Sequence, residues 1–268
     1  MDNMFLFTGS NPAYFDAVDT TELYNELRDN SDIRWRIFRI PAPGVPMDCF
    51  AIQQDRLPEA VAAARVILFF SGNDVSFWNN YGEWKCLSDL DADFMTIDYR
   101  GYGRTLGKFT TSEESCYDDA QRAFSYLTDS LGYHRDSVTL VGFSLGTGVA
   151  VETAKRLKTV RQILFAPFTS IQVVANGITG GYNIPSRWLL ESRFDNIRKI
   201  TEIDQPLFIL AGEDDMLFPP QDHAVKLYGK AEEPKHLMLI PGYDHPMFIT
   251  KSFRHWRDSI VTFIGTGE

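Results

Sequence analysis

Ser137-Val138-Thr139-Leu140-Val141-Gly142-Phe143-Ser144-Leu145-Gly146 is an apolar run ending in a G-x-S-x-G turn, and residues 147–157 continue in a helix-compatible stretch. A mainly apolar, non-alternating run of this length reads as a strand buried on both faces. A serine on a tight turn between such a strand and a helix carries its hydroxyl at the strand end. The flanking glycines let strand and helix approach closely. The five-residue pattern alone is weak, because glycine and serine are common. The strand before it and the helix after it give it weight.

Working outward, the same continuous apolarity recurs at Val66–Phe70, Phe94–Ile97, Gln162–Ala166, Leu207–Ala211 and His236–Ile240. Continuous rather than alternating apolar strands belong to parallel sheets covered by helices on both faces. Helical stretches fall between most of them. Ser112–Ser130 is the clearest, with Tyr117, Ala120, Ala123, Phe124 and Leu127 on one stripe, and Ser252–Ile264 closes the chain. Ile33–Ile40 and Asp48–Gln53 flank the turn residues Pro41-Ala42-Pro43-Gly44 and read as an antiparallel hairpin. The expectation is therefore an α/β fold. It has a mostly parallel eight-stranded sheet led by that hairpin, with helices on both faces.

The 268 residues suit a single domain spanning 1–268. Asn11-Pro12 and the pair Asp19 and Glu22 are helix-start signals, so residues 1–30 are expected to hold a helical extension. Residues 167–205 are too many for a simple connection and too apolar for a disordered one. They are expected to form a short cap-like insertion.

A formal net charge of −10 argues against nucleic-acid phosphates and anionic membrane surfaces as partners; the same charge also serves plain solubility. Cys49, Cys86 and Cys116 are too few and too scattered for a disulfide framework or a metal site. Reduced thiols, the absence of a basic, apolar leader in Met1–Ser10 and the lack of a membrane-length apolar run lead us to expect a cytoplasmic protein without an integral membrane segment. The sequence does not fix an oligomeric state.

A serine nucleophile needs a base, and the base needs an orienting carboxylate. On a sheet of this kind the expected order is Ser, then Asp or Glu, then His. Glu213-Asp214-Asp215 follows the strand Leu207–Ala211, and His245 follows the strand His236–Ile240. Both sites lie just past strand C-termini, at the sheet edge where ligands bind in such folds. The other histidines are poorly placed: His236 and His134 lie at the opposite edge, and His223 and His255 lie in helix-like stretches. Spacing alone does not choose among the three acids, and a run of acids in a loop also serves as a solvated turn. For an oxyanion, the backbone N–H of Leu145 is one expected donor. The N–H of Asn73, in Ser71-Gly72-Asn73-Asp74 after the third strand, is the second.

Taken in order, these segments resemble an α/β-hydrolase of the abhydrolase-domain type, from about Ile33 to the C-terminus. Its markers are Ser71-Gly72-Asn73, Asp98-Tyr99-Arg100-Gly101-Tyr102-Gly103-Arg104-Thr105, Gly142–Gly146, Arg193-Phe194-Asp195-Asn196 with Ile200, Gly212-x-x-Asp215-x-x-x-Pro219, and Gly242-x-x-His245. The resemblance implies that Asp215 is the acid, that Asp214 and Asp244 are solvated bystanders, and that Asp98 braces the turn carrying Gly101 and Gly103. It implies no metal or organic cofactor. Two positions depart from the family pattern. Ser71 stands where a histidine is common, and Thr105 stands where serine is common.

The expected activity is hydrolysis of a carboxylic ester or thioester of a small or acyl-chain substrate, with Ser144, Asp215 and His245 as the catalytic set. Alternatives are a lipid hydrolase, an acyl-protein or acyl-CoA thioesterase, or a non-catalytic binding protein on the same fold. Phe77, Trp78, Tyr182 and Trp188 are candidates for an apolar substrate pocket, although aromatics at such positions equally serve packing.

Overall fold

The computed structural model describes residues 33–40, 47–54, 64–73, 81–103, 108–158, 161–178, 191–246 and 248–268. The expected N-terminal helical extension, the pocket candidates Phe77, Trp78, Tyr182 and Trp188, the position Thr105 and the middle of the expected cap lie outside them.

Eight strands form one sheet: β1 (Ile33–Ile40), β2 (Met47–Gln54), β3 (Val66–Phe70), β4 (Asp93–Ile97), β5 (Val138–Phe143), β6 (Arg161–Phe165), β7 (Leu207–Gly212) and β8 (Lys235–Ile240). Their order is β1-β2-β4-β3-β5-β6-β7-β8. The β1–β2 and β2–β4 pairs are antiparallel and all others are parallel. The leading hairpin and the parallel body thus follow the sequence pattern.

Side chains alternate across the pleat and divide the core in two. Val66, Leu68 and Phe70 pack with α2 (Glu113–Ser125) and α3 (Leu145–Leu157) on one face. Ile67 and Phe69 pack on the other, with Leu87 of α1 (Tyr81–Ser88) and Trp256, Ile260 and Phe263 of the C-terminal helix, Phe248–Thr266. Burial on both faces is what the unbroken apolar runs require. β8 departs from that expectation: its side chains are half-buried from Lys235 to Leu239. It is the last strand of the sheet, and its outer edge has no paired neighbour among the described residues. The expected helix over Ser112–Ser130 is α-helical from Glu113 to Ser125 and finishes in a π-helical turn, Tyr126–Ser130. Ser112 and Ser115 cap its start reciprocally, each side chain accepting the other's backbone N–H.

The two ends of the 167–205 interval are pinned to each other. Ile171 N–H donates to the Arg193 carbonyl, Ile197 N–H to the Thr169 carbonyl, and the Asn196 amide to the Phe168 carbonyl. Between these ties runs α4 (Ile171–Ile178).

Backbones approach closely at the β5–α3 junction. A Cβ on Gly146 would fall on the Phe70 carbonyl oxygen and within 2.6 Å of that of Ser71. A Cβ on Gly142 would fall on the Gly146 carbonyl. We therefore predict that Gly146→Ala costs at least about 3 kcal/mol of stability, since a packed backbone cannot yield. Gly229→Ala is the control: a Cβ there meets nothing within 4 Å, and the site lies in a helix, Ala224–Lys230. It should be neutral or stabilising by about 0.5–1 kcal/mol. Urea denaturation midpoints of the two variants check both values.

Candidate active site

Three loops beyond the C-terminal ends of β5, β7 and β8 meet at one point. Ser144 stands between β5 and α3 with φ 51° and ψ −119°, a conformation that costs a non-glycine residue of order 1–3 kcal/mol. Its backbone is held from both sides. Its N–H donates to the Phe165 carbonyl (3.1 Å), and its carbonyl accepts from Thr147 N–H (3.0 Å) and Thr147 Oγ1 (2.6 Å).

Asp215 is buried after β7 and divides its carboxylate. One oxygen accepts Phe218 N–H at 2.7 Å, and the other lies 2.7 Å from His245 Nδ1. His245 Nε2 lies 3.0 Å from Ser144 Oγ. A carboxylate accepts, so Nδ1 carries the proton and Nε2 is left to accept from the serine hydroxyl. The imidazole is also held by rings. Phe143 stacks on it at 5.3 Å, and Phe218 meets it edge-on at 4.6 Å.

The acid loop and the histidine loop are joined directly. Asp214 N–H donates to the Tyr243 carbonyl and Glu213 N–H to the Ile240 carbonyl. Asp244, expected to be a solvated bystander, is exposed but accepts backbone N–H bonds from His245 (2.7 Å) and Met216 (3.2 Å). These two bonds hold its carboxyl below the usual carboxylate range. Asp244 therefore ties the two loops together, whereas the side chain of Asp214 is exposed.

Of the expected oxyanion residues, Leu145 follows the serine directly in the chain. Leu145 is the first residue of α3, so its N–H has no intrahelical partner. Gly72 lies against Ser144: a Cβ built on it would sit 3.4 Å from the serine Cβ and 3.3 Å from Phe143. Asn73 follows it, half-buried. Among the described residues no group of three His, Cys, Asp or Glu side chains is arranged to hold a metal ion, and no helix is long and apolar enough to cross a membrane.

Residues 67–205 match the model of the alpha/beta hydrolase family, just over half of the chain. The chain belongs to that family. It is 28% identical to the uncharacterized protein YfhR of Salmonella typhimurium over 218 residues, covering 76% of this chain and 72% of that protein. It is 28% identical to the human alpha/beta hydrolase domain-containing protein 17B over 189 residues, covering 68% and 61%. The esterase Pf2001 of Pyrococcus furiosus shares the fold, with a TM-score of 0.69 at 17% identity over 90% of this chain and 94% of that one. An acetyl xylan esterase from Paenibacillus does so with a TM-score of 0.63 at 15% identity, covering 95% of each chain.

His223 escaped the sequence reading, because a histidine in a helix-like stretch carries no spacing signal toward a partner 54 residues away. It is buried, and its Nδ1 accepts the Thr169 N–H at 3.1 Å, linking the stem of the 167–205 interval to the acid loop. Its ring packs on Phe218, which packs in turn on His245. Burial lowers its pKa from 6.5 to about 4, against the opposing fields of Asp222 and Asp215. The unfolded chain therefore binds this proton more readily than the folded one between about pH 6.5 and 4, and stability is lost as pH falls through that window. We predict that the melting temperature of His223→Gln, whose side-chain carbonyl still accepts an N–H, falls less steeply than wild type between pH 7 and 4. Parallel thermal melts across that range check the difference.

Proposed function

We propose that this chain is a serine hydrolase that cleaves carboxylic esters through an acyl-enzyme. One observation carries the reading: the continuous relay from Asp215 through both nitrogens of His245 to Ser144 Oγ, at 2.7 and 3.0 Å. Ser144 Oγ attacks the acyl carbonyl as its proton passes to His245 Nε2, and Asp215 stabilises the imidazolium. The oxyanion lies against the N–H groups of Leu145 and Asn73. Collapse breaks the ester bond, and the Nε2 proton goes to the leaving alkoxide. Water then attacks the acyl carbon, gives its proton to Nε2 and releases the acid. Ser144 recovers its proton from His245.

Esters are favoured because two of the proteins sharing the fold carry the name esterase. A thioester would follow the same steps with a thiolate leaving. Met216 and Leu217, next to the acid, are 86% and 44% exposed, apolar surface that suits an apolar acyl part. The 167–205 interval, pinned at its stem by Thr169 and Phe168, is read as a cap over this site within a single domain. A purely binding role is disfavoured by the complete relay, since binding alone does not require a base aligned on a strained serine.

Two results are predicted. A fluorophosphonate probe labels wild type and fails to label Ser144→Ala. With a p-nitrophenyl ester, Asp215→Asn lowers kcat on the order of 10⁴-fold through the wrong imidazole tautomer, whereas Asp214→Asn stays within about twofold, as for a surface residue outside the relay. Equal losses in the two Asn variants would contradict the assignment of the acid.

A further inference from the structure

Ser71 stands where the family pattern commonly carries a histidine, which leaves open what holds the Ser71-Gly72-Asn73 loop against the serine. Two buried phenols reach it from the turn after β4. Tyr99 Oη donates to the Ser71 carbonyl at 3.2 Å, and Tyr102 Oη donates to Asn73 Oδ1 at 3.0 Å. The rings meet edge to face at 5.7 Å. Desolvation raises the Tyr99 phenol well above its ordinary pKa, so it remains a donor.

The turn that presents them is itself fixed. Gly101 and Gly103 have φ of 87° and 53°, and a Cβ on Gly103 would fall on Asp98 Oδ2. Arg100 Nη2 donates to Oδ1 of the fully buried Asp119 of α2 at 2.7 Å and Nε donates to Oδ2 at 3.2 Å, and the Arg100 backbone N–H donates to the same carboxylate. Thr111 Oγ1 donates to the Arg100 carbonyl at 2.8 Å. A bidentate pair on a buried carboxylate holds one geometry, so both hydroxyls arrive at the loop from a rigid support.

The two acceptors bracket one peptide. A peptide unit is planar, so anchoring the Ser71 carbonyl fixes the Ser71–Gly72 plane. Anchoring Asn73 Oδ1 fixes the Asn73 side chain. Between them lies the Gly72–Asn73 peptide, which carries the Asn73 N–H and which glycine would otherwise allow to rotate freely. We propose that Tyr99 and Tyr102 are positioning residues that clamp this peptide at two points, keeping the Asn73 N–H aimed at the oxyanion of the tetrahedral intermediate. This rests on the serine-hydrolase reading. Neither phenol touches the reacting atoms.

The test uses Tyr102→Phe and Tyr99→Phe in the full chain, with p-nitrophenyl butyrate as substrate and a trifluoromethyl ketone as tetrahedral adduct former. Tyr102→Phe should lower kcat about 10- to 100-fold, short of the 10²–10³ that outright loss of an oxyanion donor costs. KM and the melting temperature should stay near wild type, and the ketone should bind more weakly by a similar factor. Asn73→Ala keeps the N–H but removes Tyr102's acceptor. It should show the same loss, and adding Tyr102→Phe to it should cost nothing more. Wild-type kcat and ketone affinity in Tyr102→Phe would overturn the clamp, as would additive losses in the double variant. If Tyr102→Phe or Tyr99→Phe fails to fold, Asn73→Ala decides alone: wild-type ketone affinity there overturns the proposal. A wild type inert to both ester and fluorophosphonate would instead sink the hydrolase reading, and the clamp with it.

Discussion

Everything at this site depends on the close approach of α3 to the end of β5 and β3. Gly146 abuts the Phe70 and Ser71 carbonyls, Gly142 abuts Gly146, and Ser144 between them is held at positive φ. That conformation is unfavourable in isolation, and it persists because the flanking backbone over-determines it. Thr147 bonds the Ser144 carbonyl twice, and Phe165 takes its N–H. The strain lifts one hydroxyl out of the sheet edge and sets the start of a helix beside it. The same closeness leaves little room beside Gly72, where an added Cβ would meet Phe143 and the serine.

Around that constraint, the site is assembled from loops that brace each other. The carboxylate of Asp215 is satisfied by Phe218 N–H and His245, and Asp244 closes the gap between their loops. Phe143 serves twice, stacking on His245 and backing Gly72. His223 carries the arrangement outward to Thr169, at the stem of the 167–205 interval. Each tie alone is worth about 1 kcal/mol. Together they hold three loops from distant parts of the chain in one geometry, which is what preorganised chemistry requires.

The fold was legible because a strand buried on both faces must be mostly apolar; the runs at Val66–Phe70 and Leu207–Gly212 are apolar throughout, and Val138–Phe143 is broken only by Thr139. β8 was legible as a strand but not as a half-exposed edge, since sheet order is not written in one strand's composition. Ser144 and His245 were legible from their places after strands. Asp215 needed the family resemblance, because Glu213 and Asp214 differ from it in direction rather than in chemistry. The remaining parts, the Asp244 tie, the Thr169–His223 bond and the Tyr99–Tyr102 support, are contacts between loops. Each joins residues 28 to 54 positions apart, and no local periodicity encodes such a pairing.

The central claim is that Ser144 becomes covalently acylated during turnover. Rapid acid quenching of the protein with a p-nitrophenyl ester, followed by intact and peptide mass spectrometry, measures this directly. The account predicts a single acyl group per chain on the peptide containing Ser144, formed in a burst with release of nitrophenol and absent in Ser144→Ala. Turnover without any acyl adduct, or an adduct on another residue, would contradict it.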